Sequence, residues 1–421
     1  MNIVYIIPKI THGGGIINVI EEVKAIQLTD NTFNATLISL EPGTSSSLIK
    51  EAMSIGLKVL ITPSQTLLTK LVIKADLLVL HYWNCPSMYL FYTFLESSQI
   101  KCRICINLKV NGCTLPQVVP HWVYSSADAL IHSNPLTPND LLPSHAKALV
   151  IPSLVKLTTK INKPTKLPFN TFKLFHAGTL NAFKIHPQFM ELHVGLALND
   201  YSLDVWGSGA DDTFTDAIKK YTNFHFNGFS TNLTNEINSY HLLCNPQTPL
   251  SYASYDKIML ESQWLGIPVI VLKNSYISSH IKHNINGIVA EDEADYKQQI
   301  ELLASDPEAY QSLVDSTHEY ANTQYKLHDY VQQTIDLYHQ TILQPTKAID
   351  TESVPKDAYT AVIDGMGSWG EMLVQNPTSL TQEEIYYALK CEGGLIHYYN
   401  VFSEDEPLKI TLQKLMNLLE K

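Results

Sequence analysis

The chain has 421 residues, 45% of them hydrophobic and 17% charged, with a formal net charge of −12. That length suggests two to three domains, the composition is ordinary globular, and the acidic balance argues against a nucleic-acid binder, which shows a basic face. No stretch reaches the roughly 18 uninterrupted apolar residues of a spanning helix, and the opening MNIVYIIPKITHGGG lacks the basic start and long apolar run of a signal peptide.

The predicted elements alternate strand with helix. NIVYIIP is a short apolar run that enters the turn Gly13-Gly14-Gly15. IINVIEEVKAI follows with helical spacing, Ile17, Val19, Ile20, Val23 and Ile26 falling on or near one face. Strand-like runs then recur as ATLISL, KVLITP, DLLVLHY, RICINL, ALIHSN and ALVIPS, each short, β-branched-rich and bounded by turn or helical residues. Near-continuous apolar strands of this kind predict a parallel sheet covered on both faces. SLVKLTTKINKPTKLPFNTF breaks the pattern and reads as a linker. Its Lys156, Lys160, Lys163 and Lys166 read as solvated charges, with contact to an acidic membrane surface as the alternative.

A second series follows: KLFHAGT, SLDVWG, FHFNG, HLLCNP, PVIVLK and GIVAED as strands. HPQFMELHVGLAL, DTFTDAIKKY and YDKIMLESQWLG are helical candidates between them. One long helical segment is expected over about 293–344. The tail from 347 to 421 holds 12 acidic and 6 basic residues, the turns GMGSWG and CEGG, and a final amphipathic LKITLQKLMNLLEK. It predicts a small helical appendage.

Of the six cysteines, Cys102 and Cys105 form a lone CxxC inside a strand-like run. Side chains three apart on a strand point to opposite faces, so the pair predicts buried free thiols in a reducing compartment rather than a metal or redox site.

Four features fall at strand ends, where open α/β sheets bind ligands. Gly13, Gly14 and Gly15 before a helix suit close approach of an anion, although Asn18 stands where a dinucleotide fingerprint would place its third glycine. Gly178 through Lys184, in HAGTLNAFK, brings a lysine one turn beyond a strand. Gly207-Ser208-Gly209 reads equally as a tight turn or a ligand loop. Tyr255-Asp256-Lys257 precedes IMLESQWLGIPVIV; Asp256 is expected to cap a helix ended by Gly266. Glu261 in that helix has the carboxylate that a ribose diol needs, or is an ordinary helix-face glutamate.

Together these features resemble family 4 glycosyltransferases of the GT-B fold, over about residues 1–344. The most specific stretch, YDKIMLESQWLGIPVIV, is similar to the family's "fDKvvLEAmacGkPVI", HAGTLNAFK to "GrLxxxKG", LDVWGSG to "l.ivGsG", HYWNCP to "HyWN.P", and INGIVAED to "nG.lv". The resemblance implies an α/β architecture of two facing Rossmann-like domains with parallel sheets. Their bounds would be 1–155 for the acceptor side, 156–170 for the linker and 171–325 for the nucleotide-sugar side. A closing helix over 326–346 and the acidic extension 347–421 would follow. It implies transfer of a sugar from a nucleoside diphosphate sugar to an acceptor hydroxyl, with retention of configuration and no metal or other cofactor. Lys184 would meet the diphosphate and Glu261 the ribose. Gly13, Gly14, Gly15, Gly178, Thr179, Tyr255, Asp256 and Lys257 would line the donor, and His81, Asn107 and Lys109 the sugar or acceptor side. The partners implied are a nucleotide sugar and a glycan, lipid-linked or protein acceptor, in the cytoplasm or at the inner face of the membrane.

Three positions depart from the family pattern. Thr179 replaces its diphosphate arginine, whose bidentate reach a lysine does not reproduce. Ala253 stands for the first glutamate of its E-x7-E pair, and Ile185 for the glycine after its lysine. Thr179 and the tail leave open a non-catalytic GT-B partner subunit as the alternative reading.

Overall fold

The computed structural model describes residues 1–11, 14–30, 32–43, 45–151, 167–230, 233–273, 275–350 and 353–420. Most of the expected linker, including Lys156, Lys160, Lys163 and Lys166, lies outside them, as does Gly13. The chain divides into two compact units. The first comprises Met1–Ser133, Thr137–Leu154 and His328–Lys421; the second comprises Asn134–Leu136 and Val155–Leu327.

The first unit alternates strand and helix. β1 (Asn2–Ile7) leads to α1 (Gly14–Thr29), β2 (Asn34–Ser39) to α2 (Ser46–Ser54), and β3 (Lys58–Ile61) to α3 (Gln65–Lys74). Then come β4 (Leu77–Tyr82), α4 (Pro86–Ser98), β5 (Ile104–Leu108), α5 (His121–Ser126), β6 (Ala129–His132) and β7 (Lys147–Val150). The strands form a wholly parallel seven-stranded sheet in the order β3-β2-β1-β4-β5-β6-β7. Burial on both faces explains why β4 and β5 are unbroken apolar-rich runs, every residue of both being buried. The order reverses between β1 and β4, which makes that point the crevice for a ligand.

The second unit repeats the plan. It contains β8 (Phe172–Thr179), α6 (Phe189–His193), β9 (Tyr201–Ser208), α7 (Asp212–Lys219), β10 (Phe224–Gly228), α8 (Leu233–Glu236), β11 (Leu242–Cys244), α9 (Lys257–Trp264), β12 (Val269–Leu272) and β13 (Gly287–Ala290). Its six strands are parallel in the order β10-β9-β8-β11-β12-β13, with the reversal between β8 and β11. One core lies on one face of this sheet, around Leu174, Phe189, Leu203 and Ile300, and a second around Phe175, Leu243, Met259 and Val271.

The segment 293–344 is helical as expected, in three helices: α10 (Glu293–Ser305), α11 (Pro307–Gln324) and α12 (Leu327–Ile342), of which α12 from His328 belongs to the first unit rather than closing the second. Asp306 followed by Pro307 ends α10 and opens α11, the carboxylate accepting from the amides of Glu308 and Ala309. HPQFMELHVGLAL yields only the five residues of α6, because Val194 is extended and Gly195 takes φ +68°.

The tail is helical as expected: α13 (Ala358–Asp364), α14 (Ser368–Gln375), α15 (Gln382–Lys390), α16 (Leu395–Tyr399) and α17 (Glu406–Leu419). It belongs to the same compact unit as the N-terminal sheet. α12 opens this return: the Tyr338 hydroxyl donates to Glu22 of α1 at 2.6 Å. Lys347 then continues it, pairing with the buried Asp128 at 3.1 Å.

Candidate functional site

In the second unit the reversal point gathers most of the residues singled out from the sequence. β8 ends at Gly178 and Thr179, and β9 beside it ends at Gly207 and Ser208. A Cβ on Gly207 would lie 1.9 Å from the Gly178 carbonyl oxygen, so the close pairing of these two strand ends requires glycine there. After Thr179 the chain turns: the amides of Lys184 and Ile185 both donate to the Asn181 carbonyl at 3.0 Å. The loop then pairs with the one that leaves β11, through His186 N–H to Pro246 O (3.1 Å) and Thr248 N–H to Lys184 O (3.1 Å).

That turn sends the Lys184 amine to Asp256, Nζ to Oδ1 at 2.7 Å, with side-chain exposures of 17% and 14%. The other carboxylate oxygen of Asp256 accepts from Asn245 Nδ2 at 3.1 Å and from Gln247 Nε2. Gln247 is itself fixed by the Ser251 hydroxyl at 2.8 Å. Burial pushes the Asp256 carboxyl up, but Lys184 and Asn245 outweigh it and hold the group below the usual carboxylate range. Behind the turn His176 bonds through Nδ1 to the Cys244 carbonyl at 2.8 Å. Burial lowers its imidazole to about 4.

The expectation that Asp256 caps its helix is corrected. It occupies the N-cap position of α9, but its side chain makes no capping hydrogen bond. Three side-chain donors from the neighbouring loops, one of them a full cation, use its oxygens instead. One turn along, Lys257 Nζ lies 3.2 Å from Glu261, an i,i+4 pair. Gly266, at φ +72°, follows the end of α9 as expected. Tyr255 sets its ring edge-on to His280, centroids 4.5 Å apart. Lys184, Tyr255, Asp256, Lys257, Glu261, Gly178 and Thr179 therefore all belong to one unit, with Lys184 and Asp256 in direct contact.

In the first unit Gly14 and Gly15 open α1, which has no acidic residue in its first turn. Its amide donors and dipole remain suited to an anion. His81 and Asn107 are register partners on β4 and β5. His81 is wholly buried, and its ring nitrogens have no hydrogen-bond partner among the described residues. Burial, then the charge of Lys109, pushes its imidazole well below the usual value. Burial also lowers the Lys109 amine to about 8, against the pull of Glu22. Glu22 is buried on α1 and accepts from Tyr5 at 2.8 Å and from Tyr338 at 2.6 Å. Burial raises its carboxyl despite those two donors.

Sequence reasoning missed Glu22, Tyr338, Asn245 and Gln247. A signal for the last two existed: Asn-Pro-Gln directly follows the wholly buried LLC strand, at the end of a strand where ligands gather. Among the described residues no group of three His, Cys, Asp or Glu stands ready for a metal.

A scan of protein-family models finds no match, and no curated protein matches in sequence. Solved structures do match. Anabaena HepE, solved with UDP-glucose, superposes with a TM-score of 0.63 at 11% identity, over 80% of this chain and 99% of its own. A glycosyltransferase from Rickettsia africae gives 0.63 at 12% identity, over 82% and 99%. Sucrose-phosphate synthase from Thermosynechococcus elongatus gives 0.60 at 13% identity, over 81% and 98%. The fold is GT-B. These GT-B chains are covered almost end to end, while about a fifth of the present chain lies outside each match.

Proposed function

We propose that this chain is a retaining glycosyltransferase that takes a sugar from a uridine diphosphate sugar and delivers it to an acceptor hydroxyl. The observation that carries the reading is Lys184: a single amine held at the carboxyl end of β8, at the strand-order reversal of a GT-B unit. HepE, on the same fold, was solved with UDP-glucose, which supports the choice of nucleotide.

In this reading the donor diphosphate draws Lys184 away from Asp256. The amine neutralises the charge that grows on the leaving group as the glycosidic bond breaks. Gly178, with no Cβ, lets the donor approach the strand end, and the main-chain amide of Thr179 and the start of α9 at Tyr255–Lys257 add donors. Glu261 accepts from the ribose hydroxyls. The departing phosphate takes the acceptor proton, so no side chain acts as nucleophile and no metal is needed. Gly13, Gly14 and Gly15 are further donor-binding positions, and His81, Asn107 and Lys109 serve the sugar or acceptor. The enzyme works in the cytoplasm.

A thermal-shift panel of UDP, UDP-sugars, GDP-sugars and ADP-sugars tests this. UDP and one UDP-sugar are expected to raise the melting temperature; at a hundredfold excess over Kd the linkage is worth about 2.7 kcal/mol. Lys184→Ala is expected to weaken UDP by about 1.5–3 kcal/mol, the worth of a charged hydrogen bond. Silence with every nucleotide would overturn the reading in favour of a non-catalytic GT-B subunit.

A further inference from the structure

The helix α3 carries a surface that glycosyl transfer does not use. Its fully buried positions are Leu68 and Val72, with Thr69 and Leu71 half-buried beside them. Its exposed positions are Gln65, Thr66, Leu67, Lys70, Ile73 and Lys74. At about 100° per residue, Thr66, Leu67, Lys70, Ile73 and Lys74 fall within about 120° of one another, opposite the buried pair. The outward stripe thus holds two lysines and two large aliphatics beside Thr66, with Leu67 37% and Ile73 62% exposed. β3, which feeds this helix, is the edge strand of its sheet, with Lys58 and Ile61 exposed at its two ends.

The local charge runs against that of the chain. Residues 52–75 contain Lys58, Lys70 and Lys74 and no Asp or Glu, within a chain whose net charge is −12. Among the described residues none of these three lysines takes part in an ion pair. Large aliphatic side chains exposed between unpaired lysines match a surface that offers both anions and hydrocarbon. A nucleic-acid backbone would use the lysines and leave Leu67 and Ile73 in water.

We propose that the outward face of α3 docks this chain on an anionic lipid surface. The lysines pair with acidic headgroups while Leu67 and Ile73 enter the headgroup–acyl boundary. One stripe of this size gives weak, reversible binding, since few apolar groups insert and each lysine adds roughly a fivefold gain. The proposal is independent of the nucleotide reading.

Vesicle flotation of the full-length protein tests it, using phosphatidylcholine alone or mixed with phosphatidylglycerol. The wild type is expected to float with the mixed vesicles, less as salt rises, and not with the neutral ones. Lys70→Glu/Lys74→Glu should cut the partition coefficient by at least roughly 25-fold. Leu67→Ser/Ile73→Ser should cut it at low and high salt alike. All four side chains are exposed, so both variants should keep the wild-type melting temperature. Equal flotation with neutral vesicles, or indifference to both double substitutions, would overturn the proposal. So would tight binding to duplex RNA that ignores the Leu67 and Ile73 changes, or a dimer in light scattering that the lysine changes dissolve.

Discussion

At Asp256 two demands meet. Its carboxylate holds Lys184 at 2.7 Å and is itself held by Asn245 and Gln247. A diphosphate arriving at Lys184 brings like charge toward that carboxylate, so the pair that positions the amine also opposes the ligand. Asp256→Asn separates the two effects. It leaves a mostly buried ammonium unpaired and faces the Asn245 and Gln247 donors with an amide, which should cost about 1–3 kcal/mol in denaturant unfolding. Removing the repulsion should at the same time tighten UDP by roughly threefold to tenfold, read by calorimetric titration. Unchanged or weaker UDP binding would show that Asp256 acts only as a scaffold. The sign of the pH effect follows from the depressed carboxyl. Its contribution to stability is present above the ordinary value of 3.8 and is lost as pH falls through the lower folded value; the asparagine variant should lack that acid loss. The position of Lys184 was legible, because a lysine one turn past an apolar strand has few other places to go. The partner was not: Asp256 is 72 residues away, and before a helical pattern its own type signals a cap.

At the scale of elements, the strands could be read from their largely apolar runs, since a doubly covered parallel sheet admits few polar positions such as His81 and Asn107. Helix extent was less legible where local chain reversals decide it, as at Asp306–Pro307 and Gly195. The docking of the tail was not legible at all, because it rests on contacts across most of the chain. Tyr398 donates to Asn84 Oδ1 at 2.8 Å, a separation of 314 residues, and Asn84 Nδ2 donates to the Pro116 carbonyl at 2.7 Å. Gly365, at φ −67°, has a backbone that any residue adopts. A Cβ there would nevertheless lie 1.8 Å from Asn84 Nδ2. A Cβ on Gly393 of the CEGG turn would lie 2.4 Å from the Asn84 carbonyl oxygen, so both glycine-rich turns are packing surfaces for one asparagine in the loop after β4. Gly365→Ala should therefore destabilise the protein by about 1–3 kcal/mol through overpacking, measured by urea unfolding. A change within about 0.5 kcal/mol, as for an ordinary surface site, would mean that the tail rests only loosely on the sheet.

Over the whole molecule, the second unit carries a set of buried imidazoles that makes stability depend on pH. Burial lowers His176, His241 and His280 to about 4 and His193 to about 3. Burial holds each ring neutral against main-chain hydrogen bonds that favour its charged form, such as His193 Nδ1 to Phe189 O at 2.7 Å and His280 Nε2 to Ser254 O at 2.8 Å. In the unfolded chain these rings titrate near 6.5. Between that value and the folded ones the unfolded state holds more protons, so stability rises with pH through this window and falls on acidification. Each histidine then withdraws up to about 1.4 kcal/mol per pH unit below about 6.5. The depressed Asp256 adds nothing to this loss above 3.8, while Glu22, whose carboxyl burial raises, takes up its proton first in the folded state and offsets only part of one histidine's slope. The melting temperature is therefore expected to drop steeply between pH 6.5 and 4.5, well before ordinary acid denaturation. His193→Gln tests the cause. It sacrifices ring packing against Phe189, at 4.6 Å between centroids, and so melts lower at pH 7.5. Its melting temperature should nevertheless fall less on acidification than that of the wild type, by about one proton's worth of slope. An identical slope in the two proteins would mean that His193 takes up a proton in the folded state, and that the chain between α6 and β9 opens far enough to let water reach it.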